Sequence, residues 1–144
     1  MNISIVKVDL SYKVMTSISD KEFLEKATKV ILDNIADGSF TLDRLVVDLK
    51  ISRASLYRKI NFLTGQNPSG FIRTIRLKYA ACLLEQQELP INKIAVLSGF
   101  NSKAYFSKTF RELFGQTPQQ YQYKKRTLIP VSFYGKPENQ ASKL

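Results

Sequence analysis

The chain has 144 residues, of which 44% are hydrophobic, and it carries a formal net charge of +10. This size and composition suit one domain of ordinary length or two small helical subdomains with a packed core, and they argue against global disorder. With no histidine and only Cys82 as a cysteine, the chain excludes an intrachain disulfide, zinc sites of the Cys/His type and histidine acid–base pairs.

Apolar and polar residues alternate near the N-terminus, which is the pattern of a β-strand. The apolar positions are Val6, Val8, Leu10, Tyr12 and Val14. Residues 128–134, near the other end, are also strand-prone. Since a lone strand is unstable, we expect the flanks 1–18 and 127–144 either to pair with each other or with a second chain, or to form a frayed leader and tail.

Helical periodicity begins at Ser19, which forms an S-x-x-E capping box with Glu22. The spacing of the apolar residues predicts a helix that stops at Gly38. Its buried positions are expected to be Leu24, Ala27, Ile31 and Ile35.

Two shorter helices complete what we define as the first subdomain, residues 19–66. Thr41 is the candidate N-cap of one, and its apolar face breaks at Lys50. Ser52 is the candidate N-cap of the next, which ends at Gly65.

The longest helix is predicted to begin at Asn67-Pro68, an N-cap followed by proline at the first helical position, and to run to about Gln86. With roughly 19 residues it spans about 28 Å, and it forms a linker over residues 67–87. Its basic side chains, which either form a solvated face or grip a polyanion, are Arg73, Arg76 and Lys78.

The helical pattern recurs in residues 88–126, the second subdomain. A short apolar helix breaks at Gly99-Phe100, and either Asn101 or Ser102 caps a longer helix that ends at Gly115. The inward side of the longer helix is expected to be Phe106, Phe110, Leu113 and Phe114. A last helix, the seventh, is predicted to begin at Thr117-Pro118.

The two subdomains repeat one plan: a short helix, a tight turn, a longer basic helix, a glycine stop and a proline-started helix. Leu45-Val46 matches Ile94-Ala95 at an offset of 49, and later positions match at an offset of 50. The later pairs are Leu56 with Phe106, Ile60 with Phe110, Leu63 with Leu113, Gly65 with Gly115 and Pro68 with Pro118.

This plan is a helix-turn-helix, although two ordinary helical corners in a core are the alternative. We therefore predict an all-α fold, a seven-helix bundle of two helix-turn-helix subdomains joined by a long linker helix, of the homeodomain-like kind.

Positive charge is concentrated after residue 48. Residues 1–48 carry six Lys/Arg and eight Asp/Glu, whereas residues 49–144 carry sixteen and four. A region of one sign attracts polyanions, and nucleic acid is the first candidate. An anionic membrane is the second candidate, and a basic surface without a partner is the alternative to both. No apolar run is long enough to cross a bilayer, so we expect no membrane insertion.

The second helix of a helix-turn-helix fits the major groove of B-DNA and places its N-terminal residues at base edges. Both predicted copies carry cations on the outward side of that helix. Successive major grooves on one face of DNA lie about 34 Å apart, a separation that a spacer of about 28 Å plus packing radii can set. We predict that one chain reads two adjacent major grooves of double-stranded DNA, with an asymmetric target.

Residues 19–124 resemble the DNA-binding domain of the AraC/XylS family. The strongest elements are Ile94-Ala95, Gly99-Phe100, Tyr105-Phe106-Ser107, Phe110, Phe114-Gly115, Thr117-Pro118 and Tyr121. The stretch SRASLYRKINFLTGQNPSGFIRTIRL is also similar to the C-terminal domain of hybrid two-component regulators of Bacteroidetes. Whether the chain is a fragment of such a regulator or stands alone stays open.

The family has glycine where the first turn has Lys50, a residue that is strained if its φ is positive.

The resemblance and the helix geometry indicate the same outward residues. Those expected at base edges are Arg53, Ala54, Tyr57, Arg58, Lys103, Ala104, Tyr105 and Lys108. Those expected at the DNA backbone are Ser52, Ser55, Lys59, Ser102, Ser107 and Arg111. The alternatives are that Arg58 and Lys108 contact only the backbone, and that Tyr57 and Tyr105 are half-buried packing residues.

We expect a sequence-specific transcription regulator, and the resemblance implies an activator with RNA polymerase as a further partner. The alternative is a non-specific architectural nucleic-acid-binding module without transcriptional activity. With no Gly-rich phosphate loop and with acids mainly on helix surfaces and near helix starts, an enzyme, a cofactor and a metal site are not expected. A dimer through the flanks or through a regulatory domain outside this chain is a further expectation, as is a cytoplasmic, nucleoid-associated location.

Overall fold

The computed structural model describes residues 18–86 and 89–127, which fold into seven α-helices and contain no strand. The helices are α1 (Ile18–Asp33), α2 (Leu42–Leu49), α3 (Arg53–Thr64), α4 (Pro68–Gln86), α5 (Ile91–Leu97), α6 (Lys103–Phe114) and α7 (Pro118–Thr127). The predicted all-α fold of two helix-turn-helix units on a long helix is confirmed. The strand-prone segments at Val6–Val14 and 128–134, and any dimer contact through them, lie outside the described residues.

Helix α4 runs through the centre of the fold and packs against α1, α3, α5, α6 and α7. Because neighbours surround it, apolar residues occur around most of its circumference and not along a single stripe. Five of its largest buried side chains are Phe71, Ile75, Tyr79, Leu83 and Leu84. Each fully buried aliphatic or Phe side chain contributes about 1.5–3 kcal/mol by removal from water, so α4 links the two units through a common core.

The two units fill the rest of the core with different side chains. Mostly aliphatic residues fill the first unit, where Phe40 is the aromatic member and Leu56 and Ile60 of α3 are fully buried. In the second unit a chain of rings runs from the turn into α7. Its ring centroids lie 5.0 Å apart for Phe100–Phe106, 5.7 Å for Phe106–Phe110, 4.5 Å for Phe110–Phe114 and 5.5 Å for Phe114–Tyr121. Such pairs add about 0.5–1.5 kcal/mol each beyond their buried area.

Side-chain caps set four of the predicted helix starts, whereas Thr41 precedes α2 as predicted but its side chain forms no capping hydrogen bond. The hydroxyl oxygens of Ser52 and Ser102 each accept a hydrogen bond of 3.1 Å from a backbone N–H three residues later, which identifies Ser102 and not Asn101 as the cap of α6. Asn67 caps α4 in the same way, over 2.8 Å to the N–H of Gly70. Thr117 and Gln120 cap α7 reciprocally, at 3.1 and 2.9 Å. Each cap contributes about 1 kcal/mol, which explains why these boundaries were predictable.

The predicted start of the first helix at Ser19 agrees with the structure to within one residue, but its predicted cap and its predicted end are wrong. Ser19 is already the second residue of α1, so it is not the cap. At the other end α1 stops at Asp33, because Asn34 and Ile35 donate to carbonyls three residues back and tighten the last turn. Gly38 lacks the positive φ of a helix-ending glycine. The inward positions Leu24, Ala27, Ile31 and Ile35 are buried as predicted.

Two further features differ between the units. Leu63 is 2% exposed, whereas its counterpart Leu113 is 43% exposed, so the prediction that Leu113 lies inside is wrong. Lys50 adopts a left-handed conformation, with φ 55° and ψ 42°, and is the non-glycine residue with positive φ among those described. Its N–H donates to the carbonyl of Val47 and closes α2, so the first turn has the usual geometry despite the absence of glycine.

Candidate nucleic-acid interface

The two basic helices, α3 and α6, each lie against the shorter helix that precedes them, α2 and α5, and against α4. Their side chains on the opposite side face solvent. All eight residues predicted at base edges are exposed, namely Arg53, Ala54, Tyr57, Arg58, Lys103, Ala104, Tyr105 and Lys108. Of the six predicted at the DNA backbone, Ser52, Lys59, Ser102 and Arg111 are exposed and Ser55 and Ser107 are half-buried.

The start of α3 is organised by a small hydroxyl network. The Ser52 and Ser55 hydroxyls lie 3.0 Å apart, and the Ser55 hydroxyl accepts a hydrogen bond of 3.2 Å from Nη2 of Arg58. This bond holds the Arg58 guanidinium beside the helix N-terminus. The N-terminus carries a partial positive charge from the helix dipole, so guanidinium and dipole together favour an anion in front of α3.

Arg53 contacts an acid that is not among the residues predicted at the interface. Its guanidinium forms an exposed ion pair with Asp43, in the first turn of α2. At an offset of 49 the second unit has Asn92 in place of Asp43, and within the described residues Lys103 forms no ion pair. The repeat alignment was the signal that could have revealed this difference, because it sets a carboxylate opposite an amide.

Tyr57 and Tyr105 are 42% and 47% exposed, so both side chains are accessible from solvent. The ring of Tyr105 lies 6.2 Å from that of Phe100, and its hydroxyl accepts a hydrogen bond of 3.5 Å from Arg73 of α4. The Tyr105 ring thus packs on one side while its hydroxyl stays at the surface, and the roles of Tyr57 and Tyr105 at base edges stay predictions.

A cleft of about 310 Å³ lies between α4 and the start of α6. Its walls include Ser69, Arg73, Arg76, Ser102 and Tyr105. Arg73 is exposed beside it, as a solvated or backbone-gripping residue would be. Arg76 is not on a solvated face, because its guanidinium turns inward and donates to two backbone carbonyls.

Three other features bear on the chemistry of the described residues: metal-ligating clusters, membrane-spanning helices and titratable groups. Among residues 18–86 and 89–127 there is no cluster of three or more metal-ligating side chains. No helix in the same residues combines the length and apolarity needed to span a bilayer. The buried Tyr79 and the half-buried Cys82 each have a raised pKa, first because burial disfavours their charged forms.

Comparison with known proteins places this arrangement in a family. A family model described as "Helix-turn-helix domain" matches residues 45–124. A crystal structure of an AraC-type DNA-binding transcriptional regulator from Chromobacterium violaceum superposes with a TM-score of 0.69 at 28% identity, covering 76% of this chain and 96% of that one. The DNA-binding domain of AdpA, solved in complex with a target DNA, superposes with a TM-score of 0.65 at 26% identity over 72% of this chain and 93% of that one.

A curated relative is named Histidine kinase P4, from Formosa agariphila, and is 41% identical over 110 residues. Those residues are 76% of this chain but 8% of the relative. Two further relatives, named as transcriptional regulators, are matched over 44% and 35% of their own lengths. The chain thus spans less than half of these curated proteins. Since the helix-turn-helix model matches more than half of the chain and the superposed regulator from Chromobacterium violaceum is AraC-type, the chain belongs to the AraC-type family of helix-turn-helix DNA-binding domains.

Proposed function

We propose that this chain binds double-stranded DNA sequence-specifically, with α3 and α6 in two successive major grooves, and that it regulates transcription as an activator. One observation carries the proposal. Two copies of a helix-turn-helix, each with an exposed cationic second helix, are mounted on one continuous helix, α4. The relative AdpA, solved with a target DNA, supports the same role for this chain.

The residue roles follow from chemistry and exposure. Arg58 and Arg53 suit guanine, because a guanidinium donates two parallel hydrogen bonds to O6 and N7, and Lys108 and Lys103 suit the same acceptors. The methyl groups of Ala54 and Ala104, which are exposed, suit thymine methyls, and the tyrosine hydroxyls suit base edges or phosphates. The serine hydroxyls and the cations further along each helix suit the DNA backbone. These residues are Ser52, Ser55, Lys59, Ser102, Ser107 and Arg111.

The two helices differ in sequence, so the two half-sites must differ as well. Helix α3 begins RASLYRK, whereas α6 begins KAYFSKT. A target that satisfies both is asymmetric, and a single chain orients itself on it. A purely architectural binder would instead neutralise phosphates and show little base preference.

The test is selection of bound duplexes from a random pool at two salt concentrations, followed by footprinting of the best site. We expect an asymmetric consensus of two different half-sites, about one helical turn apart, that persists at the higher salt. Equal recovery of all sequences, with binding that collapses as salt rises, would indicate the non-specific architectural module. A palindromic consensus would contradict reading by one chain.

The regulatory half of the proposal needs its own test. Activation by such a domain implies a contact with RNA polymerase and a cytoplasmic, nucleoid-associated location. We expect a reporter promoter that carries the selected site to gain transcription when the chain is expressed. A variant that lacks base recognition, Arg58→Ala with Lys108→Ala, is the control. A fall in transcription on binding would make the chain a repressor.

A further inference from the structure

The two helix-turn-helix units meet directly, beside the start of the second basic helix, α6. Residues 35–38, in the loop between α1 and α2 of the first unit, lie against residues 99–101, in the turn between α5 and α6 of the second. We call this the interunit contact. It joins segments that are more than 60 residues apart in sequence, so it adds a second connection to the one that α4 provides.

Arg76 of α4 bridges the two sides of this contact. Its Nη1 donates to the carbonyl of Gly99 and its Nη2 to the carbonyl of Asp37, both over 3.2 Å. The side chain is half-buried, and its buried Nε–H has no hydrogen-bond acceptor among the residues described. A planar guanidinium reaches two separated carbonyls at once, which a lysine ammonium on a single stem does not do as well.

Burial lowers the pKa of the Arg76 guanidinium, an effect that the nearby Asp37 partly offsets. Removing a cation from water is therefore unfavourable here, and the two carbonyl oxygens compensate for it. Asp37 is itself held by Ser39, whose N–H and hydroxyl donate to the Asp37 carboxylate over 2.9 and 2.6 Å. The loop that presents the Asp37 carbonyl is thus ordered by its own bonds.

The backbones on the two sides approach very closely. A Cβ added at Gly99 would lie 2.3 Å from the carbonyl oxygen of Ile35. A Cβ added at Gly38 would lie 2.1 Å from Oδ1 of Asn101, whose Nδ2 donates to the Gly38 carbonyl over 3.3 Å. Such close packing permits little sliding between the units.

The interunit contact lies where it can set the positions of the two basic helices, α3 and α6. Residues 99–101 directly precede α6, and residues 35–38 lead into α2, against which α3 packs. We propose that Arg76 is a positioning residue that fixes the separation and orientation of α3 and α6, and that it thereby makes the chain selective for the number of base pairs between the two half-sites. The part of this inference that concerns DNA rests on the proposed function, whereas the part that concerns helix separation does not.

The helix separation is tested first, without DNA. Nitroxide labels are placed at the exposed positions Lys59→Cys of α3 and Arg111→Cys of α6, in a Cys82→Ser background, and their distance distribution is measured by double electron–electron resonance. We expect a narrow distribution in the parent and a clearly broader or shifted one in Arg76→Met. The matched control is Arg73→Met, which removes an exposed arginine from the same helix. The hydrogen bond of Arg73 to Tyr105 is long, at 3.5 Å, and joins α4 to the second unit alone, so the distribution should stay narrow.

The spacing selectivity is tested on the selected target and on versions with one or two base pairs inserted between its half-sites. Each inserted pair moves the second half-site by about 3.4 Å and rotates it. We expect the parent chain to lose at least about tenfold in affinity on the altered spacings, because its two units then cannot bind together. Arg76→Met should bind the original spacing about tenfold more weakly and lose most of the preference. Arg73→Met should weaken all spacings in proportion.

Circular dichroism and thermal melting establish whether Arg76→Met is folded. Gly38→Ala is the second variant, since Gly38 does not have a positive φ and the added methyl group displaces the Asn101 amide. An unchanged distance distribution in folded Arg76→Met, or in Gly38→Ala if Arg76→Met is unfolded, overturns the inference whatever the DNA results. Failure of the parent chain to select any sequence overturns the proposed function instead, and the label distances still decide the role of Arg76.

Discussion

The two helix-turn-helix units make the same turn with different residues. The first unit uses Lys50 at φ 55°, and the second uses Gly99 at φ 87°. Lys50 is exposed, whereas a side chain at Gly99 would overlap the carbonyl of Ile35. The first position tolerates a lysine at the cost of backbone strain, and the second accepts only glycine because another segment lies against it. Identical turns can therefore be under different constraints, set by their neighbours.

The basic helices differ in a parallel way. In the first unit Asp43 pairs with Arg53, and in the second Asn92 stands where the acid would be. Helix α3 thus begins with the partly neutralised cation of Arg53, whereas α6 begins with Lys103, which forms no ion pair within the described residues. We infer that the second unit contributes more non-specific attraction to DNA, and that the first gains selectivity because Arg53 must exchange partners.

The largest effect that would sharpen this comparison is expected for Gly99→Ala. Left-handed strain of about 1–2 kcal/mol adds to overlap with a backbone carbonyl, which commonly costs about 1–3 kcal/mol. We expect a loss of roughly 3 kcal/mol in the free energy of unfolding, measured by chemical denaturation. The matched control is Gly115→Ala, where φ is 75° but no atom lies within 4 Å, so only the strain remains. Equal losses in the two variants would show that the contact with Ile35 does not constrain the turn.

Loss of a base-reading cation should come next in size. Arg58→Ala and Lys108→Ala should each cost about 1–3 kcal/mol in binding to the preferred base and relax selection at that position. Lys59→Ala, which removes a residue assigned to the DNA backbone, is the control and should weaken binding to all sequences alike. The measurement is fluorescence anisotropy on targets with single substitutions. Uniform weakening by Arg58→Ala would reassign that residue to the DNA backbone.

Replacing the strained lysine should have a smaller and opposite effect. Lys50→Gly relieves left-handed strain of about 1–2 kcal/mol but gives up about 0.5–1 kcal/mol because glycine has more freedom in the unfolded chain. We expect a net gain of about 0.5–1 kcal/mol, seen as a higher melting temperature. Lys93→Gly, at an exposed position inside α5, should instead destabilise the protein by about 1 kcal/mol. Destabilisation by Lys50→Gly would mean that the lysine side chain has a role that outweighs the strain.

The smallest effect is expected for Asp43→Asn, which makes the first unit resemble the second. Since the pair with Arg53 is exposed, its loss should change stability by less than about 1 kcal/mol. Affinity for DNA should rise roughly twofold to fivefold, because Arg53 is released and a nearby negative charge is removed. Asp33→Asn makes the same change in net charge at a residue paired within α1 and is the control. No difference between the two variants would show that the Asp43 pair does not restrain Arg53.

Local signals explain how much of the fold was predictable. The Ser52 hydroxyl, Asn67-Pro68 and Thr117-Pro118 act on their own next few residues, so their helix starts could be read from the sequence. The repeat added the helix-turn-helix arrangement, because two copies of one spacing exclude most chance patterns. The outward residues of α3 and α6 followed from helical periodicity, and their exposure agrees with it.

What could not be predicted depends on segments that meet only in the folded molecule. The inward turn of Arg76 depends on the carbonyls of Asp37 and Gly99, which lie 39 and 23 positions away along the chain. The pairing of Arg53 with Asp43 requires two helices to cross with a particular geometry. Leu113 has the same place in the repeat as Leu63, yet their burial differs, because periodicity shows which side of a helix is apolar and not what covers it.

The central position of α4 has a thermodynamic consequence. Because its buried residues face helices of both units, neither unit retains a complete core once the other has melted. The protein should therefore denature in one step despite its duplicated architecture, with equal calorimetric and van't Hoff enthalpies. If the chain is cut on either side of α4, the resulting fragment should be partly unfolded and prone to aggregate. It should not fold into an independent DNA-binding unit of half the size.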